Sequence, residues 1–423
     1  MLSLSIVTLF GTSDVKIKIA GKMRSCGLSM PAVNPKVLIW ARETAGLSLE
    51  AAARALDLND TQTKTGKEKL AAFEAGKEFP TRQLLLKMSN KYRRSLLVFY
   101  LDTPPVKGDR GQDFRALPGG HSEDDVLLDA LIRDLKSRQA LVRSLLEDED
   151  AEKIAFIGSA NMTQGAEIVA QNIRSVIGFS LEKFRAGRTA EDAFSYLRDR
   201  IESVGIFVLL AGNLGSHHTK IPIETFRGFA IADPTAPFIV VNDQDAKSAW
   251  SFTALHETTH LWLGTTGVSG TSTEATIEKF CNDVAGTLLL PALEMQELHR
   301  IQSLPLADAV NQISIFAKAR KVSRAMVAYK LLRLRSIDEV TWHELNASFR
   351  QEWIEGQAKK NEKDKPIEGG PNYYVVRRHR LGKALLRLVR SLVNTGTLTP
   401  TKAGKVLGVK PRNVEPLLKD LSV

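Results

Sequence analysis

Apolar residues recur along most of this chain at spacings of three and four, the pattern of helices with one buried face. Val126 to Glu147 carries it, and Gly165 to Ser203 carries it again. Near the start, Pro35 to Glu43 is an amphipathic stretch followed by Gly46, and Ser48 is placed to cap a helix running to Leu56. Leu70 to Gly76 and the run after Pro80 complete an all-helical block. The period changes in the middle of the chain. Ile206 to Leu210, Phe226 to Ala232 and Phe238 to Val241 are short apolar runs that predict strands, the last two joined by a turn at Asp233-Pro-Thr-Ala-Pro. An apolar helix then starts near Ala249 and ends at Gly264, and the segment from Glu274 to Pro291 gives another, with Ile277, Cys281, Val284 and Leu288 as its core stripe. Leu381, Leu385, Leu388 and Leu392 repeat at helical spacing under a basic face, and Thr399 onward reads as two short helices about a turn. The pattern predicts an α+β fold, mostly helical, with a small three-stranded sheet.

Punctuation and charge divide the chain. Pro, Gly and polar residues mark a linker over 103–125, and a charged one runs over 356–372. The expected parts are a tail (1–30), a helical domain (31–102), a catalytic region with preceding helices (126–300), a helical extension (301–355) and a basic helical subdomain (373–423). The net charge of +10 is uneven: Tyr373 to Val423 holds eleven basic residues against two acids, and residues 31–102 hold twelve against eight. Basic ends about a neutral-to-acidic middle suggest nucleic acid or an acidic partner at the ends. Lys64, Lys67, Lys69, Arg377, Arg380 and Arg387 are the candidate contacts. Cys26 and Cys281 make no disulfide framework and suit a reducing compartment. No run reaches membrane-spanning length, and the apolar Leu2 to Phe10 stretch is too short and lacks the basic flank of a signal peptide. The expectation is a cytoplasmic protein whose natural start is Met23 or Met30 or whose first thirty residues form a loose tail.

The chemistry lies at His256-Glu257-Thr258-Thr259-His260. Residues four apart share one helix face, so two imidazoles can reach one zinc ion, with Glu257 beside them to take a proton from water. A catalytic zinc needs a third protein ligand. Glu278 on the next helix flanks the core stripe, with Asn282 one turn on and able to orient a histidine; Glu274, one turn earlier, is its rival. His217 and His218, in a polar loop between two strands, are candidates for oxyanion or substrate contacts.

These segments resemble the ImmA/IrrE family of zinc metallo-endopeptidases. The likeness rests on Phe252-Thr-x-x-His256-Glu-x-x-His260-Leu-x-Leu-Gly, Glu278-x-x-Cys281-Asn282-x-x-Ala285 and Leu288-Leu-Leu-Pro291, with Cys281 where the family usually has alanine. It extends upstream through the three strand-like runs and looks to include the segments from about Asn34 and from Gly369. The resemblance implies one zinc per chain held by His256, His260 and Glu278, Glu257 as general base, and a regulatory protease that cleaves a helix-turn-helix repressor. Residues 31–102 are similar to XRE-type helix-turn-helix domains, with Phe73 in the aromatic position and a long polar stretch, Asn59 to Thr65, inserted before the helix that would read DNA. The competing class is a non-catalytic DNA-binding regulator that uses zinc for structure or sensing. Glu257 discriminates, because a structural site has no need of it.

Overall fold

The computed structural model describes residues 33–105, 123–215, 219–265, 272–363 and 372–419. The chain falls into two compact units, one drawn from residues up to Ala41 and from Leu49–Pro104, the other from Arg42–Ser48 and Pro105 onward.

The smaller unit is helical, with α1 (Pro35–Glu43), α2 (Leu49–Ala55), α3 (Gly66–Glu74) and α4 (Arg82–Tyr92). Thr65 and Glu68 close a reciprocal capping box at the start of α3, and Thr81 caps α4 through the amide of Leu84. Leu56, Leu70, Met88 and Tyr92 fill its interior. The three candidate lysines are engaged locally: Lys64 pairs with Glu78, Lys67 with Glu50, and Lys69 Nζ donates to the Asn59 carbonyl at 2.6 Å.

The larger unit begins with α5 (Glu123–Asp148), then α6 (Ala166–Ile177), α7 (Leu181–Arg185) and α8 (Ala190–Glu202). Three strands follow: β1 (Phe207–Leu210), β2 (Gly228–Ile231) and β3 (Phe238–Val241), in the order β1-β3-β2. β1 runs parallel to β3 with Phe207 opposite Phe238, and β2 runs antiparallel to it with Gly228 opposite Val241. Side chains alternate across a strand, so each apolar run serves two cores. Val208, Leu210, Ile239 and Val241 enter one; Phe207, Leu209, Phe238 and Val240 enter the other. A strand buried on both faces reads as a continuous apolar run, which is what the sequence carries.

The first face is covered by α8 and α9 (Lys247–Leu263), with α10 (Ser272–Leu289) packed on α9 and α6 packed on α10. The same core continues through α11 (Leu306–Arg320), α12 (Arg324–Arg333) and α13 (Glu339–Lys363). On the second face lie α5 and four C-terminal helices: α14 (Tyr373–Leu381), α15 (Lys383–Asn394), α16 (Pro400–Leu407) and α17 (Val414–Leu418). The basic tail therefore shares a core with the sheet instead of standing apart. The expected linker from Gly356 is also revised, since α13 continues through Lys363. Glu- and Lys-rich sequence is a good helix former, and its charge alone does not make a linker.

A buried clamp fastens the tail. Arg198 and Glu202 of α8 pair at 3.1 Å with their side chains 7 % and 5 % exposed. Glu202 Oε2 accepts the amides of Lys383 and Ala384, each at 3.0 Å, and Arg198 donates to the carbonyls of His379, Arg380 and Val208. Gly382 separates α14 from α15 with φ +79°, and a Cβ there would strike Arg198 and Glu202. Only glycine meets both demands.

Candidate metal centre

α9 is buried nearly all round, as a helix packed between a sheet and other helices must be. Its threonines avoid stranded hydroxyls by donating back along the helix, Thr258 to the Ala254 carbonyl at 2.7 Å and Thr259 to that of Leu255 at 2.9 Å. His256 and His260 emerge on one face with their Nε2 atoms 3.1 Å apart. α10 packs against this face and delivers Glu278, whose Oε2 lies 3.2 Å from His256 Nε2 and whose Oε1 lies 3.2 Å from His260 Nε2. His256, His260 and Glu278 are the one group among the described residues able to hold a metal ion with three donors. Nothing is described of the Glu274 side chain, and His217 and His218 lie outside the described residues.

The hydrogen bonds on the far side of each ring decide what the cluster can accept. His256 Nδ1 donates to Asn282 Oδ1 at 2.9 Å. Thr265 Oγ1 turns its own proton toward the His260 carbonyl, 3.3 Å away, so it accepts from His260 Nδ1 at 3.0 Å. With both Nδ1 atoms protonated, both Nε2 atoms present lone pairs. Two lone pairs and a carboxylate facing one another at 3.1–3.2 Å repel unless a cation sits among them. Ligands arranged tetrahedrally about 2.0–2.2 Å from zinc stand roughly 3.3–3.6 Å apart, so the three donors fit that ion with a small outward relaxation.

The charges of the cluster favour a cation at this point, whether a proton on His256 Nε2 or a metal ion that would displace it. Burial opposes the charged form of His256, but the Glu278 hydrogen bond and the charges of Glu257 and Glu278 outweigh it and hold the imidazole above its ordinary value. Burial lowers His260, aided by the charge of His256. Burial also opposes ionisation of Glu278, yet its bonds to both histidines keep it far below the usual carboxylate range. The cluster is an anionic cradle.

Glu257 is buried, 6 % exposed. Its carboxylate lies against the edge strand, where a Cβ on Gly228 would come within 2.9 Å of Glu257 Oε1 and 2.5 Å of Thr253 Cγ2. A cavity of about 390 Å³ opens over the cluster between the β2 edge and α12, lined by Arg227, Gly228, Phe252, Met326 and Tyr329 among others. Sequence reasoning passed over Gly228, Thr265 and Tyr329. Thr265 follows the helix-ending Gly264 and had a local signal, whereas Tyr329 is placed only by tertiary packing.

The other candidates are not gathered at this site. Arg377 Nη2 donates to the carbonyls of Leu407 and Gly408, and Arg380 pairs with Asp243 at 2.7 Å. Arg387 is exposed on α15.

A helix bearing two histidines, a carboxylate from the next helix, a second carboxylate alongside and a substrate-sized cavity define the single-metal peptidase class. Residues 211–332 match the model of a peptidase family, Peptidase_M78, described as the IrrE N-terminal-like domain. This segment, which holds β2, β3, α9, α10 and most of α12, is thus similar to the peptidase domain of that family. No curated protein and no solved structure matches the chain. No described helix is long and apolar enough to cross a membrane.

Proposed function

We propose that the protein is a zinc-dependent endopeptidase in which His256, His260 and Glu278 hold the metal and Glu257 is the general base. The observation that carries this reading is the convergence of three lone-pair donors at 3.1–3.2 Å, each histidine locked by a partner on its other nitrogen. When bound, zinc supplies Lewis acidity, polarising the scissile carbonyl and making water easier to deprotonate. Glu257 accepts the proton of the attacking water on a carboxylate oxygen and passes it to the leaving amide nitrogen. Asn282 and Thr265 keep both Nε2 atoms aimed at the metal. β2 is an edge strand and borders the cavity, so an extended peptide can add beside it, fixed by backbone hydrogen bonds.

Such docking reads little sequence, so selectivity falls to recognition of a particular folded partner. The family resemblance points to a helix-turn-helix repressor as that partner and to a regulatory, stress-response or mobile-element role. The helical N-terminal unit, read as XRE-like, and exposed basic residues of the C-terminal helices such as Arg387 are the parts available for protein or DNA contact.

The test is to incubate the zinc-loaded protein with the repressor-like product of a neighbouring gene and map the cut. One discrete site is expected, abolished in Glu257→Gln although that variant keeps its zinc. Loss of zinc from Glu257→Gln, or unselective digestion of casein at many sites, would refute the assignment.

A further inference from the structure

A second cavity, about 1030 Å³, opens between α5, α14 and the turn joining α16 to α17. Arg138, Arg377, Lys405, Lys410 and Arg412 line it, against the single carboxylate of Asp134, which already pairs with Arg138 at 2.5 Å. Among the described residues Lys405, Lys410 and Arg412 have no acidic partner. The two arginines are recessed. Arg138 is only 13 % exposed, and a Cβ on Gly408 would fall onto its guanidinium, so the glycine opens the space this side chain occupies. Arg377 is anchored at one end, Nη2 donating to the Leu407 and Gly408 carbonyls at 3.1 and 2.7 Å.

Both arginines keep a buried Nε–H with no hydrogen-bond partner. A buried donor left unpaired costs on the order of 1–3 kcal/mol, so two in one cavity need a reason. Burial disfavours the cationic form of Arg377, and the neighbouring charge of Arg138 adds to the cost. An oxyanion between them offsets the repulsion of the two guanidiniums and accepts from their Nη1 groups, for which no hydrogen bond is described, while Nη2 of each stays on its protein partner. The space exceeds what one phosphate fills and suits small-ligand pockets of roughly 300–1,000 Å³. Tyr373 and Tyr374 stand at its border, ring centroids 5.3 Å apart, offering aromatic surface to a planar group.

We propose that this cavity binds a phosphate-bearing small ligand of nucleotide size, its phosphates on Arg138 and Arg377 and its aromatic part against the tyrosines. Duplex DNA is the poorer fit, because a duplex backbone meets projecting cations, whereas the central pair here is recessed. The site is independent of the peptidase reading.

Isothermal titration of the full chain with ATP, pyrophosphate and a short DNA duplex at low salt tests this. ATP is expected to bind more tightly than pyrophosphate. Lys410→Glu/Arg412→Glu, at two exposed positions, should weaken ATP by about tenfold or more while leaving the urea midpoint unchanged. Arg138→Lys, which keeps the charge but cannot both hold Asp134 and present a second planar donor, should weaken it as well. No ATP binding at millimolar concentration, binding indifferent to these variants, or a duplex that binds through the same residues when ATP does not would overturn the proposal.

Discussion

Replacing Glu202 by alanine tests whether the C-terminal helices are structural members of the larger unit. The carboxylate makes three charge-assisted contacts, with Arg198 Nε at 3.1 Å and with the amides of Lys383 and Ala384 at 3.0 Å each. Removing it strands a guanidinium whose side chain is 7 % exposed beside two amides that lose their acceptor. Breaking one partner of a buried pair costs about 3–5 kcal/mol, because the remaining charge stays desolvated. That is a large part of a typical domain stability of ~5–15 kcal/mol. Urea unfolding followed by tryptophan fluorescence reads the change, since Trp250 and Trp262 are buried in the core on the opposite sheet face. The double variant Arg198→Met/Glu202→Ala removes both charges and should recover part of the loss, giving a coupling of opposite sign to the single effects. A shift under ~1 kcal/mol for Glu202→Ala, with no recovery in the double variant, would refute the clamp.

Asn282→Ala should leave the fold intact but lower zinc affinity by roughly 10–100-fold, measured by competition with a chromophoric chelator, because His256 loses the partner that fixes its tautomer. Gly228→Ala should keep one zinc per chain while cutting peptide cleavage by about 10²-fold, because the added methyl displaces the Glu257 carboxylate; unchanged cleavage would contradict the close approach. Glu294 is held below its ordinary pKa: burial opposes this, but the bonds from Arg185 and Arg320 outweigh it. Its stabilising contribution is therefore present above the unfolded-state value and lost as pH falls through the lowered folded value. Glu294→Gln should narrow the difference between urea midpoints at neutral and acid pH, and an unaltered acid dependence would count against that linkage.

The three donors that converge were legible where the signal is local. His256 and His260 share a helix face by spacing alone, and Glu278 followed from which flank of the α10 stripe it occupies. The strands were legible because burial on both faces leaves an unbroken apolar run. Gly228 and Tyr329 were not, since a strand edge and a distant helix meet the site only after the chain has packed. Charge misled for a related reason. Arg377 and Arg380 counted as a basic face in the sequence, yet one grips the end of α16 and the other pairs with Asp243. A formal charge says nothing about which neighbour satisfies it.

The two-sided burial of the sheet governs the order in which its two cores can close during synthesis. β1 begins at Phe207, but the helices that close its second face begin at Tyr373. At ~5–20 residues per second, the intervening stretch takes a ribosome on the order of 10–30 s to produce. In the part of that interval after Glu278 is made, the histidines, Glu257 and Glu278 have all been translated while Phe207, Phe229 and Phe238 still lack the C-terminal helices that share their core. The second face of the sheet therefore stays partly uncovered until the helices around Leu385 and Leu407 arrive, so the two cores of the larger unit close in the order in which their parts are made.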